Sequence, residues 1–366
     1  MGHVSSSFEL RLTVVRKAIC VLLLVMVATC GWGDALAQAQ EPTEDFMKLS
    51  LKELLEADIV AINVLGTHTH FAGEWMFAYK FMFMRMNGNR DGTDSVSDEE
   101  VLDPGGFNFR VTPTDMNMEM HMGMVMYAPS DDLTLMAMLP YTRLSMDHVT
   151  RKGVRFTTKS EGIGDLQVKA LYTLYRIGYD RHRFLINSGV SFPTGSIDEK
   201  DDTPAGPDKQ LPYPMQLGSG TFDLLPGISY LGQTENWAWG IDAMSTIRLG
   251  ENDRDYTLGN RYHLSAQLDR KLTDWLSSSV KIDGQIWENI DGADPALNPA
   301  MVPTADPDRR AGERVDLLFG LTLYVPKGTL KGLRVAVEGG VPIYQSLDGP
   351  QLETDWLLTV GAQYIF

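Results

Sequence analysis

The chain has 366 residues, a formal net charge of −16 and two cysteines. Such an acidic balance argues against nucleic acid as a partner, because a phosphate backbone needs a basic surface. Both cysteines, Cys20 and Cys30, lie near the start, so the rest of the chain holds neither a disulfide framework nor a thiolate metal site.

Arg11, Arg16 and Lys17 precede the apolar run AICVLLLVMVATC (18–30), and ALA (35–37) supplies small residues at a cleavage site. This is the pattern of a signal peptide over 1–37, cut after Ala37. A lipoprotein reading through VATC (27–30) is weaker, because Thr29 sits where a smaller residue is usual. The run is short for a membrane span, and no later stretch approaches 18 uninterrupted apolar residues, so the chain is exported without a helical anchor. Residues 38–71 read as a periplasmic linker and helix. QAQEPTED (38–45) is polar, and in FMKLSLKELLEADIV (46–60) Phe46, Leu49, Leu54, Leu55 and Ile59 fall on one face of a short amphipathic helix.

From residue 72 to 366 helical periodicity gives way to alternation. Twelve strands are predicted, over 72–86, 116–128, 133–149, 163–176, 181–192, 221–231, 236–250, 260–271, 274–288, 313–325, 332–344 and 354–366. Their connections alternate in length. Long ones (87–115, 150–162, 193–220, 251–259, 289–312, 345–353) are rich in Asp, Gly, Pro and Asn, whereas PSDD, IGYD, GQTE, KLTD and PKGTLK are tight. An even strand number with alternating loop lengths predicts an all-β fold: a transmembrane antiparallel up-and-down β-barrel of about 12 strands in a Gram-negative outer membrane, both termini periplasmic. Aromatics near strand ends, among them Trp75, Tyr127, Tyr141, Tyr230, Trp237, Trp275 and Trp356, would form the interfacial girdles. Outer-membrane lipid and lipopolysaccharide are the implied surroundings. The terminal Phe366, after alternating apolar residues, suits recognition by the outer-membrane assembly machinery.

MYAPSDDLTLMAMLPY (126–141), GIGDLQVKALYTLYR (162–176) and SGVSFPTGS (188–196) resemble the family described as "putative MetA-pathway of phenol degradation". Its members often carry a hairpin ending in Pro-Tyr, then Gly-x-Gly-Asp, then Pro-x-Gly; here Ala128 stands where the hairpin glycine is common. The resemblance runs through about residues 70–366 and implies an outer-membrane barrel that acts as a transporter or channel. PYPMQLGSGTFDLLPG (212–227), GVPIYQSLDGPQLETDW (340–356) and the methionine-rich hairpin are similar to barrels of bacterial metal-resistance settings, which implies a copper link.

MNMEMHMGMVM (116–126) places a methionine at every second position, and thirteen of the chain's nineteen methionines lie between residues 76 and 146. On strands of period two each set shares a face. Trp75, Phe77, Tyr79, Phe81 and Phe83 suit lipid, which sends Met76, Lys80, Met82, Met84 and Met86 inward; Leu133, Leu135, Ala137, Leu139 and Tyr141 do the same for Met136, Met138, Met146 and His148. For the middle strand, continuity of the patch favours an inward Met row, although Glu119 and His121 then face outward. Thioethers are soft, neutral ligands that favour Cu(I), the one metal cofactor the sequence suggests. The candidate ligands are Met82, Met84, Met118, Met120, Met122, Met124, Met136 and Met138, with His68, His70 and His148. The plainer reading is that methionine packs adaptably and simply fills a surface.

No catalytic set emerges. Ser145 and His148 are close in sequence, but positions three apart on a strand point to opposite faces. No phosphate loop, zinc-type cluster or dinucleotide fingerprint is present. Acidic runs such as DGTDSVSDEE (91–100) and SIDEKDD (196–202) read as solvated loop surface. The expectation is a channel for a small solute, with soft-metal handling as the specific version. Uptake of aromatic or hydrophobic compounds is one rival. A filled, non-transporting barrel that sequesters metal or serves a structural role is the other.

Overall fold

A computed structural model describes residues 67–178 and 181–366. The predicted leader and the helix over 46–60 lie outside the described residues. Eleven wall elements close into one ring, each antiparallel to its neighbours. They are β1 (Trp75–Gly92), β2 (Val111–Ser130), β3 (Leu133–Thr150), β4 (Leu166–Ile177), β5 (His182–Phe192), β6 (Gly227–Gln233), β7 (Trp237–Leu249), β8 (Arg261–Thr273), β9 (Leu276–Trp287), β10 (Gly312–Tyr324) and β11 (Arg334–Ile365). The last makes two passes: residues 334–347 pair with β10, and residues 347–365 pair with β1. A ring with only antiparallel contacts needs an even number of passes, and this double traverse makes it twelve.

The wall departs from the sequence expectation mainly at the long-loop end. β1 and β2 run past the predicted 86 and start before the predicted 116, because NGNRDG and VTPTD keep pairing. Residues 150–162, predicted as a loop, contain a strand, Arg155–Ile163, laddered on β3 from Val149↔Arg155 to Tyr141↔Ile163. RFTTKSEGI alternates, but with no apolar face for lipid, so its period two is easily missed. The predicted strand 221–231 divides into Phe222–Leu224 and Gly227–Gln233, with Pro226, which lacks a donor, at the break. The long connection 87–115 contains the short helix Asp98–Leu102, capped by the Ser97 side chain accepting from Glu100 N.

Alternation gives the wall two chemistries. Phe77, Leu139, Ile186, Ile228, Phe319 and Val337 project outward and are exposed, as a lipid-facing band requires. At the short-turn end this band is edged by Trp75 on Tyr127 (ring centroids 4.5 Å), Phe77 on Phe366 (5.6 Å) and Phe184 on Tyr230 (4.8 Å). Towards the long-loop end Phe83 packs on Trp356 at 5.0 Å. Eight residues separate Trp75 from Phe83, about 26 Å along the strand and about 20 Å along a barrel axis tilted by 40°. That approaches the apolar thickness of an outer membrane. Phe319→Arg, in mid-strand on the lipid face, is expected to lower stability in vesicles by about 2–4 kcal/mol. Denaturant unfolding monitored by tryptophan fluorescence would measure it.

Candidate functional site

The three methionine-bearing strands are in register. Across β1, β2 and β3 the ladder reads Met76–Met126–Met136, Ala78–Met124–Met138, Lys80–Met122–Pro140, Met82–Met120–Thr142, Met84–Met118–Leu144 and Met86–Met116–Met146. Directly opposed residues share a face, so these rows form one continuous wall. It faces inward: Met76, Met116, Met126 and Met146 are buried, whereas Phe77 and Tyr79, which alternate with them, are exposed.

Glu119 and His121 therefore do face outward, and their neighbours explain why this is tolerated. Glu119 stands opposite Arg143, whose Nε donates to Glu161 at 2.9 Å and whose guanidinium lies 5.7 Å from the Tyr141 ring centroid. His121 Nδ1 is 2.7 Å from the Tyr79 hydroxyl. Above this row the outer face carries Arg85, Asp115 and Lys159 in place of apolar side chains, so Glu119 marks the rim of the lipid band. Charges at that height cost far less than at the midplane.

Two apolar layers bracket the lumen on the methionine side. Near the short turns Met76, Met126, Leu171 and Leu185 pack together, joined by Met124, Met136, Leu231 and Ile365. Near the long loops Met116, Leu144 and Met146 pack against Leu211 and Met215, which belong to the long connection 193–220. That connection folds a hairpin, Lys200–Thr203 with Gly206–Gln210, and a 3-10 turn, Tyr213–Met215, over the mouth. Its Tyr213 ring lies 4.9 Å from Tyr256 in a T-shaped contact, and burial pushes the Tyr256 phenol up to about 12.

The base of this loop is clasped by one carboxylate. Asp165 accepts from Gly195 N at 2.9 Å and from both Ser219 N and Ser219 Oγ at 2.8 Å. Thr194 Oγ1 donates to Gly164 O at 2.8 Å and accepts from Leu166 N at 2.8 Å. Gly195 and Gly218 touch so closely that a Cβ on Gly218 would sit 2.4 Å from Gly195 O. The Gly-x-Gly-Asp, Pro-x-Gly and LGSG stretches, far apart in sequence, thus meet here and hold the loop in the mouth. Sequence reading marked them as turns and strand ends without finding their meeting.

Strands β7–β11 present ionic chemistry to the lumen. Lys281 donates to Glu338 at 2.8 Å, Arg314 to Asp316 at 3.0 Å, and His263 Nε2 lies 2.8 Å from Asp283. Arg248 pairs with Asp223. Lys80, in the methionine wall itself, is within electrostatic reach of Lys281, Glu338 and Lys169. Gln363, opposite Ala78, is buried with neither amide atom partnered. Lys80 apart, which the alternation of its strand sends inward, these residues do not stand out in the sequence, where single charges between small residues resemble ordinary surface.

The structure divides the candidate metal ligands. Met82 opposes Met120, Met84 opposes Met118, and Met124 opposes Met138. Met84 Sδ lies 3.9 Å from both Arg314 Nη1 and Thr354 Oγ1, so it faces protein donors. At the short-turn end His68 Nε2 is 3.3 Å from Met76 Sδ, and His70 is buried beside it with ring centroids 5.2 Å apart. His148 stands apart from the other two histidines. It lies at the other end of β3, opposite Pro113 and stacked on Phe156 at 4.8 Å, about 40 Å along the strand from Met136, too far to join the other two histidines. Ser145 pairs with Asn117 on the outward face while His148 is buried, so the two do not meet.

An outer membrane channel from Pseudomonas putida F1 superposes with a TM-score of 0.59 at 14% identity, covering 84% of this chain and 100% of that one. A FadL homologue from Pseudomonas aeruginosa aligns with a TM-score of 0.37 at 11% identity, covering 80% and 89%. No curated protein sequence matches the chain. The first likeness is one of fold, an outer-membrane barrel. The profile of the family described as "Putative MetA-pathway of phenol degradation" matches residues 88–297, more than half of the chain, and the protein belongs to that family.

Proposed function

We propose that the barrel is a passive outer-membrane channel for small apolar solutes, with aromatic compounds the favoured class. The carrying observation is the wall rich in thioethers from Met76 to Met86 and their cross-strand partners, broken by the single cation Lys80 and facing a wall of paired charges. An aromatic ring can slide along sulfur and methyl groups, which make favourable contacts at ring edges. The ion pairs opposite supply a polar wall whose charges are largely neutralised, so neither ions nor solute are trapped. Gln363, one rung from Lys80, gives a phenolic hydroxyl an amide partner in a mainly apolar lane, the usual pattern of a specific small-molecule path. The family's description supports the same class. In this reading the short turns and termini are periplasmic, the Glu119–Arg143–Glu161 rim meets lipopolysaccharide, and Phe366 serves recognition by the assembly machinery.

Reconstituted in liposomes, the protein should admit phenol faster than a sugar of similar size. Gln363→Leu should narrow the preference for phenol over benzene by about tenfold, the worth of one hydrogen bond of about 1.4 kcal/mol. Equal entry of sugar and phenol would contradict the reading, and absence of any flux would favour a filled, non-transporting barrel. A second reading, passage of Cu(I), draws on the same opposed thioethers as weak exchangeable sites. Changing all six methionines of 116–126 to leucine should abolish copper flux on that reading and leave phenol flux intact on the first.

A further inference from the structure

We propose that His68, His70 and Met76 together bind one monovalent soft metal ion, Cu(I) or Ag(I), at the short-turn mouth of the barrel. The proposal is independent of what crosses the lumen.

The segment carrying the histidines is held in place by the wall. His70 N donates to Thr134 Oγ1 at 3.2 Å, Ala72 N to Asp131 Oδ1 at 2.8 Å, and Arg183 Nη1 to Thr69 Oγ1 at 2.8 Å. These bonds bring a two-histidine stretch beside the buried Met76 instead of leaving it in solvent. The His70 side chain is 2% exposed and its Nε2 has no hydrogen-bond partner. A buried imidazole nitrogen left without a hydrogen bond is unfavourable, so such groups are rare without a role. Glu74 stands 3.6 Å from the other ring nitrogen, Nδ1. A carboxylate on that side favours a proton at Nδ1 and leaves Nε2 as a bare lone pair, the arrangement that supports histidine ligands in metal sites.

The spacing suits one ion. With metal–nitrogen bonds of about 2.0 Å and metal–sulfur of about 2.3 Å, the 3.3 Å separation of His68 Nε2 and Met76 Sδ subtends about 100° at the metal. Two imidazoles on one tetrahedral ion place their ring centroids about 5 Å apart, and those of His68 and His70 are 5.2 Å apart, edge to face. Met126, opposite Met76 in the same layer, offers a further thioether. The set is neutral, with two imidazoles, thioether and no thiolate, and this softness selects Cu(I) and Ag(I) over magnesium, calcium or manganese.

The test uses the full-length protein in nanodiscs, titrated with Ag(I), and with Cu(I) under anaerobic conditions against a chromophoric chelator. One ion per chain is expected at the tight site, with two nitrogens and at least one sulfur in its X-ray absorption spectrum. Met76→Leu, which keeps bulk, and His70→Ala should each weaken that site by at least about tenfold, the lower end of what disturbing a metal shell costs. Met120→Leu, in the same wall but remote from the mouth, should leave it unchanged. Heat-modifiable gel mobility confirms that each variant is a folded barrel. Failure of the wild type to bind, a sulfur-only spectrum, tighter binding of Zn(II) than of Ag(I), or unaltered affinity in the His68→Ala/His70→Ala/Met76→Leu variant would each overturn the proposal; the 3.3 Å contact is then a hydrogen bond to sulfur only.

Discussion

Asp165→Ala is expected to raise the single-channel conductance of the reconstituted barrel several-fold while leaving the barrel folded. The Asp165 carboxylate accepts three hydrogen bonds that fix both ends of the 193–220 connection, two from backbone amides and one from the Ser219 hydroxyl. Hydrogen bonds to a charged group are worth about 1.5–3 kcal/mol each, so the truncation removes several kcal/mol from the seated loop. What remains includes the packing of Leu211 and Met215 on Met116, Leu144 and Met146, the Ser160 Oγ to Met215 O bond at 2.7 Å, the Thr194 bonds to Gly164 and Leu166, the Lys159 N to Asp201 bond, the Arg254–Asp198 pair and the Tyr213–Tyr256 contact. Those contacts compete with the entropy gained by freeing the loop, a balance the clasp now tips. The wall ladder is untouched, because Asp165 precedes the first residue of β4. Asp165→Asn keeps one acceptor oxygen but turns a donor NH2 toward either Gly195 N or Ser219, and should fall between the two. Conductance in Asp165→Ala equal to wild type would mean that loop packing, not the clasp, closes the mouth.

The second large effect is expected at Met120. It lies mid-wall, opposite Met82 on one side and Thr142 on the other. Met120→Glu places a carboxylate in the lane with no cation directly opposite, Lys80 lying one rung away opposite Met122. An apolar solute passing it must strip water from the carboxylate, which is unfavourable. Phenol flux should fall at least about tenfold, equivalent to 1.4 kcal/mol of added barrier. Met120→Leu keeps the lane apolar and should stay within about twofold of wild type, since volume-conserving exchanges are well tolerated. Lumen-facing substitutions tune passage more than stability, so both variants should assemble. Equal flux through all three proteins would remove the thioether wall from the transport path.

How much of this was legible beforehand follows from which signals are local. Alternation in MNMEMHMGMVM and in the strand ending at Phe366 reports the face of each residue directly, and the barrel, its pass number and the inward methionines followed from it. The orientation of Glu119 depended on Arg143 and Glu161, which lie on the next strand and the paired segment 155–163; sequence separation hid that partnership. The strand Arg155–Ile163 escaped notice because it rises beyond the lipid band, where nothing demands an apolar face. The Asp165 clasp joins residues 165, 195 and 219, and the ionic wall joins β9 to β11, so both exist only once the ring has closed. His68 and His70 could be named from spacing, but the 3.3 Å approach to Met76 could not. His148 looked equally eligible because distance along a barrel axis is not written in composition.

The proposed transport path depends on the methionine row facing the lumen, and one measurement reads that face directly. Cysteines are placed singly at positions 116 to 126 of a chain lacking residues 1–37, which has no other cysteine, refolded in lipid and spin-labelled, and collisions with lipid-soluble oxygen are recorded at each. Oxygen accessibility should alternate with period two, low at 118, 120, 122 and 124 and high at 121, 123 and 125. High accessibility at the even positions and low at the odd ones would put the thioethers in lipid and contradict the account.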